Sequence, residues 1–440
     1  MSSGDPGEIL RAPLLHTPRN PFFEPGALES YPDGALFIRQ GKVAACGLYS
    51  EVRAAYPDAA YTDLRGGFLL PGLIDTHIHF PQLRVLGSLG QDLPAWLKQF
   101  ALPEEMRMAE LSYASDTAHR FLHALAWHGT TTALVFGAHF SPATAALFEA
   151  AEAAGLRIIS GMVLSDRGLL PGLHQTVEAA YRDSLELIRR FHGRGRSLYA
   201  VTPRFALSTS EGMLEVCQSL MREQEGLRFQ THLNESRSEI ETVARFFPWA
   251  EDYLAVYERY GLTGRGAVMA HNVHPLAAEL ERLAAAGTAV AHCPSSNAAL
   301  GSGIFPFRRH MEAGVRCSLG TDVGGGTGFG MLKEGLQAYM MQRLTPEGAR
   351  LDPAHLLYLA TRAGAEALRL EDEVGDFTPG KSADFVYLRP PARSPLAAVV
   401  ERADSMERIL AALFTLGDSA SVREVRVAGN AVYRAKPDDD

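Results

Sequence analysis

His77 and His79 stand two residues apart in Leu70-Pro71-Gly72-Leu73-Ile74-Asp75-Thr76-His77-Ile78-His79-Phe80-Pro81-Gln82. Leu73 to Ile78 reads as a short buried strand behind a Pro-Gly turn. On a strand, residues i and i+2 face the same way, so both imidazoles converge on one point, as two ligands of one metal ion do. A histidine pair alone could equally be hydrogen-bonded inside a core. Further ligands must therefore appear later in the chain, and they do. His232 lies in Thr231-His232-Leu233-Asn234-Glu235, His271 in Ala270-His271-Asn272-Val273-His274, and Asp322 in Leu319-Gly320-Thr321-Asp322. Each follows a short apolar run. His77, His79, His232, His271 and Asp322 together form a nitrogen-rich set with one carboxylate, suited to zinc, with iron as the other candidate. Asp75 shares the alternation of His77 and His79 and is a candidate to orient one of these ligands.

The chain has no lysine between Lys98 and Lys333. The middle runs therefore cannot supply a carbamylated lysine to bridge two metals, though a bridging glutamate stays open. The expectation is one metal per chain with an open position for water. Glu235, three residues after His232, can reach that water or a ring nitrogen and is a candidate proton shuttle. The alternative for Glu235 is a solvated glutamate in a first helical turn. Arg204 and Phe205 follow the fourth apolar run. An arginine offers fixed donors to a carbonyl oxygen, and an aromatic face suits a planar ring. Gln82 carries a donor and an acceptor, a pairing that reads the edge of a purine.

Such residues need strand ends to hold them. Eight short apolar runs alternate with Ala/Leu/Glu/Arg-rich helical stretches: Leu73–Ile78, Thr132–Phe136, Arg157–Leu164, Ser197–Pro203, Leu227–His232, Ala267–His271, Thr288–His292 and Val315–Asp322. This alternation predicts an α/β fold, a (β/α)₈ TIM-like barrel, whose chemistry sits at the C-terminal strand ends. Before it, Ala35–Ile38 and Lys42–Leu48 read as a hairpin. After it come strands at Ala383–Leu388, Val422–Ala428 and Asn430–Tyr433. Residues 1–68 and 380–440 are expected to pair into one small β-sandwich, with 69–379 as the catalytic barrel. Asp438 to Asp440 is expected to be a solvated acidic tail.

Composition removes several function classes. The net charge is −9, which favours neither nucleic acid nor an anionic membrane as the main partner. No apolar run is long enough to span a bilayer. The four cysteines, Cys46, Cys217, Cys293 and Cys317, are scattered, as suits a reducing cytoplasm. Met1 to Pro13 lacks a basic region followed by an apolar run, so no secretory signal is expected. The sequon Asn234-Glu235-Ser236 is set aside on that ground. Gly375-Asp376-Phe377-Thr378-Pro379-Gly380-Lys381-Ser382 fits the phosphate-loop pattern, but a strand follows it where a nucleotide site needs a helix. Gly324 to Gly328, just past Asp322, reads as a loop that lets a ligand approach the backbone. The signatures H-E-x-x-H and P-C-x-x-C are missing. Roles for His274 and His292 are not readable.

With these residues in place, the chain resembles the amidohydrolase superfamily from about Gly67 to its C-terminal strands. The marks are Pro71 to His79, His232, His271, Leu319-Gly320-Thr321-Asp322, and Gly380 to Leu388. Within it, the chain is most similar to the branch that deaminates guanine. That likeness rests on His79-Phe80-Pro81-Gln82, Arg204-Phe205-Ala206-Leu207-Ser208, Thr231 to Glu235, and His292-Cys293-Pro294-Ser295-Ser296-Asn297. The resemblance implies zinc on His77, His79, His232, His271 and Asp322. It implies substrate contacts from His79, Phe80, Pro81, Gln82, Arg204, Phe205, His232 and Asp322, and proton transfer by Glu235 and Asp322. The implied reaction converts guanine to xanthine and ammonia in a cytoplasmic homodimer. Alternatives are another amino-substituted heterocycle (oxidised guanine, a triazine, an adenosine-derived nucleoside) or a scaffold that has lost the chemistry. The intact ligand set argues against the scaffold.

Overall fold

The computed structural model describes residues 7–436; the acidic tail at Asp438–Asp440 lies outside them. Eight parallel strands follow one another in chain order around a barrel: Leu73–His79, Thr130–Phe136, Arg157–Gly161, Leu198–Pro203, Arg228–Leu233, Ala267–His271, Ala289–His292 and Arg316–Leu319. The expected TIM-like barrel is therefore present. The first two strands are buried at every residue. Such burial on both faces is why these runs read as continuous apolar stretches rather than alternating ones. Helices between the strands cover the outside. Their ends follow local chemistry: Thr176 and Ser210 cap N-termini, and Gly155 and Gly287 end helices in the left-handed region.

The first and last barrel strands are joined by side-chain and backbone hydrogen bonds. Thr76 Oγ1 donates to the Leu319 carbonyl at 2.8 Å, and the Asp322 N–H donates to the His77 carbonyl at 2.8 Å. The buried Asp75 carboxylate accepts from the His77 N–H at 3.1 Å, the Thr321 N–H at 3.1 Å and the Thr321 hydroxyl at 2.5 Å. Asp75 thus fixes the backbone beside two ligands instead of orienting a ligand ring. Burial pushes its carboxyl up to about 7.

The terminal segments pair as expected. They form one eight-stranded sheet in the order Asn430–Arg434, Val422–Val427, Phe385–Leu388, Phe68–Pro71, Glu8–His16, Glu29–Arg39, Lys42–Leu48, with Ala60–Asp63 beside Glu8–His16. Phe68–Pro71 runs into the first barrel strand through Gly72. A Cβ at Gly72 would lie 2.2 Å from Thr131 Oγ1, so only glycine fits this crossing. The 380–440 segment also holds two helices, Pro395–Glu401 and Met406–Leu416, which the strand pattern did not disclose. The second packs on Met331–Arg343 and Pro353–Ala360 of the barrel. The phosphate-loop look-alike is a turn into Phe385–Leu388. Its Lys381 Nζ donates to Asp376 Oδ2 at 2.5 Å, so its charge is committed within the turn. No helix among the described residues is long and apolar enough to cross a membrane.

Candidate active site

The structure brings His77, His79, His232, His271 and Asp322 together at the C-terminal ends of barrel strands. All five are at most 8 % exposed. His79 Nε2 lies 3.3 Å from His77 Nε2 and 3.2 Å from His232 Nε2. Asp322 Oδ1 is 3.2 Å from His77 Nε2 and 3.3 Å from His79 Nε2. His271 Nε2, buried and without a hydrogen-bond partner, faces Asp322 Oδ2 at 3.8 Å. The outward ring nitrogens of two of these histidines are occupied. His232 Nδ1 donates to the Arg204 carbonyl at 2.6 Å, and His271 Nδ1 to Asn297 Oδ1 at 2.9 Å. Their protons therefore sit on Nδ1, which leaves each Nε2 with a bare lone pair pointing inward. Burial holds His77 below the usual range, His79 at about 3 and His232 well below it. Neutral imidazoles whose lone pairs face one another beside a carboxylate repel unless a cation sits among them. The donor set fits a zinc or iron ion.

Burial opposes ionisation of Asp322, but the His77 and His79 rings, 3.2 and 3.3 Å from its Oδ1, hold its carboxyl well below the usual range. Its Oδ2 also accepts from Ser296 Oγ at 2.6 Å. His271 and Asp322 have φ of 71° and 49°, a left-handed region that costs about 1–2 kcal/mol for residues bearing a Cβ. Neighbouring Asn234 and Asn272 are left-handed too, at 50° and 45°. The strand ends are bent sharply where the ligands sit, a departure typical of functional sites. Gly320 is needed beside them, since a Cβ there would fall 2.7 Å from His77 Cβ.

Glu235 stands next to this cluster. Its Oε2 is 3.6 Å from His271 Nε2, and its Oε1 accepts from Ser302 Oγ at 3.2 Å. Burial, reinforced by the Asp322 charge, pushes its carboxyl up to about 8. It is therefore no solvated helix-start residue. The helix that follows, Arg237–Phe246, opens with a capping box between Ser236 and Glu239. Glu239 Oε2 also accepts from the Glu235 N–H at 3.2 Å, which ties the cap to the site. Ser236→Ala is expected to cost about 1 kcal/mol of stability, read as a lower urea midpoint at unchanged slope. An unchanged midpoint would mean that the cap adds nothing there. The sequon asparagine, Asn234, is buried and donates to Asn272 and Glu279, so it offers no exposed amide.

A cavity opens on the ligand cluster, with Glu235, Gln82, Arg204 and Phe205 also on its wall. Leu93, Trp96, Leu97 and Leu300 supply an apolar side. Phe80 and Pro81 do not line it. The chain turns into a 3-10 helix, Phe80–Val85, directly after His79, and this swings the Phe80 ring into the helix layer 6.2 Å from Phe121. The other two histidines now have places. His274 Nε2 donates to the Ser302 carbonyl at 2.8 Å, propping the loop that holds Glu235. His292 stacks on Phe305 at 4.3 Å inside the core.

Sequence reasoning missed Glu105. It is 3 % exposed, accepts from Gln82 Nε2 at 2.8 Å, and accepts from Arg204 Nη1 at 2.8 Å on each oxygen. Nothing in Pro103-Glu104-Glu105 separates this residue from Glu104, which turns outward to the Tyr113 hydroxyl. Asn297, Ser296 and Ser302 were also unassigned. The first two lie in the His292–Asn297 stretch, which was the available signal.

Comparison with known proteins agrees with this geometry. A model of the Amidohydrolase family matches residues 68–432, from the start of the strand that feeds the barrel to the last terminal strand. A probable guanine deaminase of Deinococcus radiodurans is 58 % identical over 97 % of this chain and 98 % of its own length. The solved guanine deaminase of E. coli superposes with a TM-score of 0.92 at 38 % identity, covering 98 % of this chain and all of that one. A guanine deaminase from C. acetobutylicum, solved with guanine in its active site, gives 0.89 at 25 % identity, over 97 % of this chain and 100 % of that one. With the barrel, the strand-end ligand cluster and a family match over most of its length, this chain belongs to the amidohydrolase family.

Proposed function

We propose that the protein hydrolyses guanine to xanthine and ammonia. The observation that carries this is the polar edge of the cavity, where Gln82 and Arg204 share the wall with Phe205 and the ligand cluster. The names of the relative at 58 % identity and of the solved E. coli protein support it, as does guanine in the solved C. acetobutylicum relative. On this reading His77, His79, His232, His271 and Asp322 hold one zinc ion, with iron as the alternative. When bound, such an ion supplies Lewis acidity and makes water nucleophilic near neutral pH.

The residues divide the remaining work. Gln82 and Arg204 hold the purine by its C6 oxygen and adjacent nitrogen, which turns C2 toward the ligand cluster. Phe205 packs on the ring, and the apolar wall of Leu93, Trp96 and Leu300 excludes bulk water. Asp322 accepts the proton of the attacking water. Glu235, kept protonated by burial, gives a proton to the ring nitrogen beside C2 and lets that carbon become tetrahedral. The amine then takes the proton from Asp322 and leaves as ammonia, while the new hydroxyl on C2 returns a proton to Glu235 and becomes the carbonyl of xanthine. His79 and His232 border the substrate as well as the metal, and the backbone at Phe80 and Pro81 sets the turn that aims Gln82. We take residues 69–379 as the catalytic barrel and the terminal segments as one accessory unit, in a cytosolic homodimer acting on a free base.

Ammonia release across guanine, adenine, 8-oxoguanine, a triazine and adenosine tests the substrate. Guanine should give the highest kcat/KM; a higher value for any other compound would overturn the assignment. Elemental analysis tests the site separately. The purified protein should carry about one zinc or iron per chain. Two tightly bound ions would sink the mononuclear reading.

A further inference from the structure

Glu105 lies behind the cavity, on the short helix Leu102–Met106, and is absent from the cavity wall. It reaches the substrate's place only through Gln82 and Arg204. Its effect on Gln82 is directional. Gln82 Nε2 donates to Glu105 Oε1 at 2.8 Å while Gln82 Oε1 accepts from the Gly324 N–H at 3.2 Å. An amide held at both ends cannot flip, so one N–H and one lone pair stay aimed at fixed points. Its effect on Arg204 is electrostatic as well as geometric. Both carboxylate oxygens engage Nη1 at 2.8 Å, leaving Nε and Nη2 as donors. Arg204 and Glu105 are each 3 % exposed, so the pair is desolvated and its charges cancel. His139 Nδ1, 3.4 Å from Glu105 Oε2, completes the packing around the carboxylate.

We infer that Glu105 is a positioning residue that sets both the aim and the charge of the purine-reading edge, so that the pocket takes a neutral oxopurine and turns away a purine anion. An unpaired guanidinium would recognise the C6 oxygen equally well, but it would also hold any anionic oxopurine tightly. The product has a carbonyl where the substrate had an amine and is therefore the more acidic of the two. A charge-balanced edge thus favours its release. This inference rests on the guanine reading above.

The test compares wild type, Glu105→Gln and Glu105→Asp. Wild-type ammonia release from guanine is the control; its absence would sink the functional reading and leave Glu105 unblamed. Glu105→Gln keeps the size and one acceptor but removes the charge. It should keep its metal, raise KM for guanine about ten-fold with little change in kcat, and weaken inhibition by neutral hypoxanthine, on the scale of a charged hydrogen bond. Inhibition by urate, an anion at neutral pH, should tighten several-fold in the same variant. A purely structural role would move both inhibitors the same way, and that result would overturn the proposal. Glu105→Asp keeps the charge at shorter reach. It should raise the guanine KM while leaving the urate-to-hypoxanthine ratio at the wild-type value. If the glutamine variant does not fold, the aspartate variant decides. An unchanged KM, or a shifted ratio, would then refute the inference.

Discussion

Glu235→Gln should retain its metal and lose about 10²–10⁴-fold in kcat, the usual worth of general acid–base catalysis. The substitution keeps volume and polarity, and the amide oxygen can still accept from Ser302 Oγ, which lies 3.2 Å from Glu235 Oε1. What it removes is the titrating proton. Burial beside Asp322 pushes that carboxyl up to about 8, so it carries a proton near neutral pH and can donate it. The other buried acids nearby, among the described residues, are engaged elsewhere: Asp75 accepts from the His77 and Thr321 amides and the Thr321 hydroxyl, Glu239 faces the Tyr253 hydroxyl and backbone amides, and Glu105 is tied to Arg204. The measurement is metal content and steady-state ammonia release on the same preparation. Turnover near wild type with metal retained would remove Glu235 from the mechanism. Loss of metal would instead make it part of the ligand support, which its 3.6 Å approach to His271 Nε2 makes worth checking.

Arg204→Met should lower kcat/KM for guanine by about 1.5–3 kcal/mol or more, the scale of a hydrogen bond to a charged group. Methionine keeps the length and removes the donors. With C2 turned toward the ligand cluster, the C6 oxygen of guanine points away from it, just beyond N1, and a guanidinium there donates to it. Adenine offers an amine there and no acceptor, so the buried donor would be left unpaired and adenine should not be turned over. Part of the cost comes from the partner. Glu105 would lose its buried partner, and that loss adds to the measured cost. The comparison with 2-aminopurine, which lacks the C6 oxygen, separates the two contributions. Guanine should suffer far more than any residual activity on 2-aminopurine. Equal losses would mean that Arg204 supports the barrel or the ligand site. The backbone argues for metal retention, because His232 Nδ1 is held by the Arg204 carbonyl and not by its side chain.

Much of the molecule was legible in residue types and short spacings. Eight apolar runs announced eight strands because a barrel strand is buried on both faces and must be apolar along its length. The spacing of His77 and His79 was enough to aim both rings one way, since the strand period is two. His232, His271 and Asp322 could be placed at strand ends because a polar residue closing an apolar run has few other places to go. Tertiary structure decided what lies between distant segments. Gln82 meets Glu105 across 23 residues, Arg204 meets it across 99, and Asp75 meets Thr321 across 246. None of these pairings leaves a local period, because a single buried carboxylate on a five-residue helix looks in sequence like any exposed one. The same holds for Phe80: His79 before it and Gln82 two residues on line the cavity, yet a turn of 3-10 helix after His79 carries its ring into the helix layer. Ligand identity came from side-chain chemistry, which each residue carries with it. Gln82 and Arg204 could be named from their types and places in the chain, but the carboxylate that ties them together came from packing, which exists only once the whole barrel has closed.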